Sequence, residues 1–100
     1  MATPRIEVPR AEMAQVCRRH RIRRLALFGS VLRDDFGPHS DVDVLVTFAP
    51  DARIGFLALG RLKRELSELL GRRVDIVPED GLKPLIRESV LSSAEVIYAA

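Results

Sequence analysis

The sequence predicts an α/β (α+β) domain in which helices flank a short mixed sheet. Three observations predict it. Apolar runs of strand length alternate along the chain with segments whose apolar residues recur every three and four positions. Glycine and proline mark most of the junctions between them. A chain of 100 residues, 47% apolar and 30% charged, suffices for one modest core and leaves little room for a second module. Residues 1–100 are therefore expected to form a single domain.

Each element has its own warrant. Pro9 suits the first turn of a helix, where its missing N–H is not needed. Met13, Val16 and Cys17 follow at helical spacing, and the helix is expected to run to about His20, which favours the helix dipole when protonated. Ile22 to Phe28 reads as the first strand. Gly29-Ser30 breaks it, Val31 to Phe36 is expected to form one or two helical turns, and Gly37-Pro38-His39-Ser40 is a loop. Asp41 to Phe48 reads as the second strand, and the chain then turns through Ala49-Pro50-Asp51. Phe56, Leu59, Leu62, Leu66, Leu69 and Leu70 lay an apolar stripe along a long helix, and Gly71 suits its C-cap. Arg72 to Val77 is a third short strand, with Pro78 marking its end. Leu82 to Leu91 reads as helix despite Pro84, which fits near its start. Glu95 to Tyr98 reads as a last short strand.

Composition narrows the function. Met1 to Glu7 has no apolar core of the kind a signal peptide needs, and no apolar stretch approaches the roughly 20 residues that cross a bilayer, so no membrane role is expected. Cys17 is the only cysteine; an internal disulfide is impossible, which fits a reducing cytoplasm, and Cys17 is expected in the core of the first helix. The net charge is only +2, but Arg18, Arg19, Arg21, Arg23 and Arg24 cluster before the first strand. A phosphate-bearing partner is one reading of that cluster. A solvated helix end is the commoner one. The five aromatics, Phe28, Phe36, Phe48, Phe56 and Tyr98, suit the core or loop anchors better than a base-stacking platform, so direct nucleic-acid binding is not expected.

The chemistry concentrates between Gly29 and Asp43, with Asp75. Side chains two apart on a strand share a face, so Asp41 and Asp43 are expected to point the same way. Adjacent carboxylates raise each other's pKa unless a cation lies between them, and Mg²⁺, which prefers oxygen ligands, answers that need. Asp75 stands alone between Val74 and Ile76, an unusual place for a charge without a partner. If the third strand lies beside the second, three carboxylates meet at one sheet edge and can hold two Mg²⁺ ions about 3.5–4 Å apart, as two-metal phosphoryl-transfer sites do. Gly29 lets the backbone approach a phosphate, the Ser30 hydroxyl can donate to a phosphate oxygen, and Arg33 can pair with the β- or γ-phosphate. Each element alone is weak, since Gly-Ser after a strand is usually a turn and Asp-x-Asp usually a solvated strand edge. Their order and spacing together are specific.

Gly29-Ser30, Arg33, Ser40-Asp41-Val42-Asp43 and the later Asp75 resemble the motif set of the DNA polymerase β-type nucleotidyltransferase superfamily. The short length and the form Phe28-Gly29-Ser30…Ser40-Asp41-x-Asp43 are similar to its minimal nucleotidyltransferase (MNT) branch. The resemblance covers essentially the whole chain and implies a polymerase β-like nucleotidyltransferase fold. It implies nucleotide binding by Gly29, Ser30, Arg33 and Ser40, metal binding and catalysis by Asp41, Asp43 and Asp75, Mg²⁺ as cofactor and ATP as substrate. Many relatives carry Ala-Arg-Gly where this chain has Leu32-Arg33-Asp34, and the loop through Asp35-Phe36-Gly37-Pro38 is slightly extended.

MNT proteins are typically encoded beside a small helical HEPN protein, often a toxin. The resemblance thus implies a hetero-oligomer in which this chain is the antitoxin and transfers AMP from ATP to a tyrosine of the toxin. The alternative is a non-catalytic module that neutralises its partner by contact alone. Transfer to a small molecule such as an aminoglycoside is the third reading, disfavoured by the absence of a substrate domain.

Overall fold

The computed structural model describes residues 6–33 and 36–100. Among them the sequence periodicities become three α-helices and four strands: α1 (Arg10–Arg19), β1 (Ile22–Phe28), β2 (Val42–Phe48), α2 (Phe56–Leu70), β3 (Val74–Pro78), α3 (Pro84–Ser93) and β4 (Glu95–Ala99). The strands form one mixed sheet in the order β3-β2-β1-β4. β1 is antiparallel to both β2 and β4, whereas β2 and β3 are parallel. A parallel pair cannot be closed by a tight hairpin, and α2 supplies the crossover.

The core follows from the two periods. Met13, Val16 and Cys17 on α1 and Leu62, Leu66 and Leu70 on α2 are buried. They meet Leu25 and Leu27 of β1 and Val42, Val44 and Val46 of β2 in one cluster. Alternation along β2 then turns Asp43 to the opposite face from its valine neighbours. α1 packs on β1, β4 and α2, and α2 packs on β3. α3 has no buried residue, and its Leu85 is 97% exposed. Gly71 caps α2 in the left-handed conformation expected of it, at φ 65°. Cys17 is fully buried, and burial, slightly opposed by the charge of Arg18, raises its thiol pKa to about 11. It stays a protonated core residue at neutral pH.

Four expectations need correction. The helical turns expected over Val31 to Phe36 are instead one 3₁₀ turn over Gly29–Leu32, after which Arg33 is extended. An i→i+3 bond from Arg33 N–H to the Ser30 carbonyl, at 2.9 Å, closes its end, and burial of Val31 pins it to the core. Asp34 and Asp35, including the departure at Asp34, lie outside the described residues, as do Met1 to Arg5. Asp41 stands just ahead of β2 and Arg72 just ahead of β3, because each belongs to the connecting loop rather than to the ladder. Phe56, placed on the apolar stripe, is 91% exposed: it is the first residue of α2 and lies short of the layer that α1 and the sheet provide.

Candidate active site

Strand register brings the site together. Phe28 at the end of β1 pairs with Asp43 of β2, and Asp43 lies beside Asp75 of β3. Paired residues on parallel strands share a face and sit about 4.8 Å apart, so the two carboxylates are close neighbours. Asp41 reaches the same edge from two residues upstream. Asp41 and Asp75 are exposed, and Asp43 is half-buried. Burial pushes the Asp43 carboxyl above its ordinary pKa, the charges of Asp75 and then Asp41 push it further, and the Arg33 guanidinium pulls it back. The expected cluster is therefore electrostatically coupled. It is also open: among the described residues, no three His, Cys, Asp or Glu side chains converge tightly enough to enclose a metal ion.

The chain leaves β1 directly beneath these acids. Gly29 has φ 76°, and a β-carbon there would collide with Asp43 Oδ2. Only glycine lets the turn pass under the carboxylate. The Ser30 hydroxyl lies 3.5 Å from the Asp41 carbonyl, at the limit of a hydrogen bond, which leaves it little engaged by the protein. Gly29, Ser30, Arg33, Asp41, Asp43 and Asp75 thus come to one end of the sheet. Ser40 is committed elsewhere: its Oγ accepts from Gly37 N–H at 3.0 Å while its own N–H donates to the Gly37 carbonyl at 3.1 Å. This closes the turn in front of Asp41.

Sequence reasoning missed Arg72. Its Nη1 donates to the Gly37 carbonyl at 2.8 Å and the Ser40 carbonyl at 3.4 Å, and its guanidinium lies 4.6 Å from the centre of the Phe36 ring. Nothing in Leu70-Gly71-Arg72-Arg73 announces this, because every partner lies across the fold. A surface cavity of about 310 Å³ beside it is lined in part by Ser40, Asp41, Arg72 and Arg73. A second cavity, about 410 Å³ and lined in part by Thr47, Glu79 and Arg87, opens at the far end of β2, away from the acids.

Known proteins share this architecture. The Nucleotidyltransferase domain family matches residues 12–97. The protein adenylyltransferase MntA of Thermococcus cleftensis is 36% identical over 88 residues, covering 88% of this chain and 85% of that protein. A solved structure described as a minimal nucleotidyltransferase superposes with a TM-score of 0.71 at 45% identity, covering 85% of each chain. A further structure, of a tri-AMPylated Shewanella oneidensis HEPN toxin in complex with MNT antitoxin, superposes with a TM-score of 0.64 over 91% of this chain and 70% of its own. At 19% identity that likeness is one of fold.

Proposed function

The chain belongs to the nucleotidyltransferase domain family, and on that premise we propose that it transfers AMP from ATP to a tyrosine of a helical HEPN-type toxin and so acts as its antitoxin. The observation that carries the reading is the register that sets Asp75 beside Asp43, above the Gly29-Ser30 turn and next to Asp41. A pure binding module has no use for three mutually repelling acids. The 36%-identical relative is named for protein adenylylation, and the tri-AMPylated toxin complex is held by a chain of the same fold.

The donor set fits Mg²⁺. Carboxylate oxygens are hard ligands, and a dication relieves the repulsion that raises the Asp43 pKa. Asp41, Asp43 and Asp75 stand too far apart here to enclose an ion and would have to draw together to hold two, which would neutralise charge on the triphosphate and on the attacking and leaving oxygens. Gly29 lets the backbone come close to the phosphates, the Ser30 hydroxyl donates to a phosphate oxygen, and Arg33 pairs with the outer phosphates. The tyrosine oxygen attacks the α-phosphorus, the bond to the β-phosphate bridging oxygen breaks, and pyrophosphate leaves. Asp75 receives the phenolic proton.

The test is co-expression with the helical partner, followed by intact-mass measurement of that partner. The parent chain is expected to add AMP. Asp75→Asn keeps shape and volume, and is expected to add none while the complex still co-purifies. An Asp75→Asn chain that transfers no AMP yet protects cells fully would establish neutralisation by contact and overturn the reading.

A further inference from the structure

We propose that Arg72 is a positioning residue for Asp41: a clasp that fixes the loop in front of β2 against the loop in front of β3. The inference rests on the adenylyl-transfer reading, in which Asp41 must be held steady. Asp41 precedes β2, so its own backbone is outside the sheet ladder. The Ser30 contact to its carbonyl, at 3.5 Å, is too long to hold it firmly. What fixes it is the turn from Gly37 to Ser40, and that turn is gripped from outside by one side chain.

The grip has three parts. Arg72 Nη1 donates to the carbonyls of both Gly37 and Ser40, at 2.8 and 3.4 Å, so a single nitrogen spans the whole turn. The guanidinium lies against the Phe36 ring, at 4.6 Å from its centre, which sets the plane of the group. Next door, Val42 N–H at the head of β2 donates to the Arg73 carbonyl at 2.8 Å and ties the start of β2 to the loop in front of β3. Arg72 lies three residues ahead of Asp75 in the chain. One side chain therefore references Asp41 to the strand that carries Asp75. A lysine offers no flat face to the ring and no rigid fork, so it cannot reproduce the grip. Both donated bonds go to protein carbonyls, which identifies Arg72 as acting through the loop.

The experiment uses the full chain as Arg72→Ala and Arg72→Lys, with Phe36→Leu as a variant that removes only the ring. Amide hydrogen exchange at Ser40, whose N–H donates to the Gly37 carbonyl, is measured without metal, and the kinetics of AMP transfer are measured with Mg²⁺ and ATP. Exchange at Ser40 is expected to rise about tenfold or more in Arg72→Ala, with the thermal midpoint little changed. The maximal rate should fall about a hundredfold, the usual consequence of a misplacement near 1 Å, while KM for ATP stays close to the parent's. Added guanidinium ion should restore part of the rate to Arg72→Ala and none to Arg72→Lys. Phe36→Leu should show the same rate-selective loss at smaller size, even if Arg72→Ala folds poorly.

Unchanged exchange at Ser40 overturns the clasp. So does a rate loss no larger than the loss of folded protein, or an effect on KM alone. If the parent chain transfers no AMP, the adenylyl-transfer reading fails on its own, and the exchange rates alone decide the clasp.

Discussion

At Asp43 the protein accepts an electrostatic cost in its native state. Burial, then Asp75, then Asp41 raise the pKa of this carboxyl, and Arg33 only partly offsets them. The native state therefore binds the proton more tightly than the unfolded chain does. Stability falls as pH rises from the ordinary carboxylate range through the raised value, and stays lower at neutral pH. Asp43→Asn is accordingly expected to raise the metal-free melting temperature at neutral pH, with the gap closing in acid. On the proposed function, Mg²⁺ with ATP is expected to stabilise the parent by about 2.7 kcal/mol at a hundredfold excess over Kd, and the same variant should lose that rise. Scanning calorimetry with and without the ligands checks both halves. A lower metal-free midpoint would show that the carboxylate makes native bonds worth more than its repulsion.

Gly29 belongs to the same scale. Its φ of 76° strains any side chain, and a β-carbon there would press on Asp43 Oδ2, so that the carboxylate would have to shift. Gly29→Ala is expected to cost about 1–3 kcal/mol in denaturant melts and to weaken nucleotide binding besides. A neutral result would mean that the turn can move aside without disturbing Asp43.

The elements show why some of the design was legible and some was not. Ile22 to Phe28 is a strand with the bounds its sequence announces, its C-terminal end marked by Gly29-Ser30. The long helix was legible from its leucine spacing and its glycine cap, except at Phe56, where a periodic pattern continues past the layer it would pack against. The turn after Gly29 was misread because nothing in the sequence reveals that Val31 is drawn down into the core while the chain is already extended at Arg33. Asp41, Asp43 and Asp75 were legible as carboxylates at strand heads, but their meeting depended on which strands pair and in what register. Arg72 was not legible at all: its partners are backbone carbonyls, which have no signature in a sequence.

Between α1 and α2 lies a polar tie that the hydrophobic pattern did not suggest either. Glu65 on α2 bonds the His20 ring at 2.5 Å and the Arg19 guanidinium at 2.9 Å. Burial raises the Glu65 pKa, but the His20 hydrogen bond, the His20 charge and Arg19 outweigh it, and the net shift is downward. The tie is thus present above the ordinary carboxylate range and is lost as pH falls through the lowered value. Glu65→Gln is expected to destabilise the fold at neutral pH by about 0.2–1 kcal/mol, and the difference from the parent should vanish in strong acid. Urea melts across that range read the effect directly. A difference that grows in acid would reverse the sign and refute the tie.

For the molecule as a whole, charge is sorted by position. Arg18, Arg19, Arg21, Arg23 and Arg24 are all exposed, as the solvated reading required. Arg19 pairs with Glu65, and Arg21 with Asp51 at 2.6 Å. Arg23 and the acids lie toward opposite ends of β1, and at about 3.4 Å per residue the strand separates them by roughly 20 Å. The screening length at physiological salt is about 8 Å. Arg18→Glu with Arg23→Glu is therefore expected to leave AMP transfer within about twofold of the parent in a labelled-ATP assay at physiological salt. A large loss of transfer in a folded variant would mean that the partner docks on the basic end.

Because β2 and β3 run in parallel, the whole of α2 must be synthesised before Asp75 can lie beside Asp43. The ribosome delivers the N-terminal half first. A nascent chain that stops within α2 already carries Gly29, Ser30, Asp41 and Asp43 but has no third acid, and no Arg72 to steady the loop. β4 follows later still and closes the far side of β1. On the adenylyl-transfer reading, half-made or truncated copies are therefore expected to be inert in group transfer, and completion of β3 sets the earliest moment at which a copy can begin work.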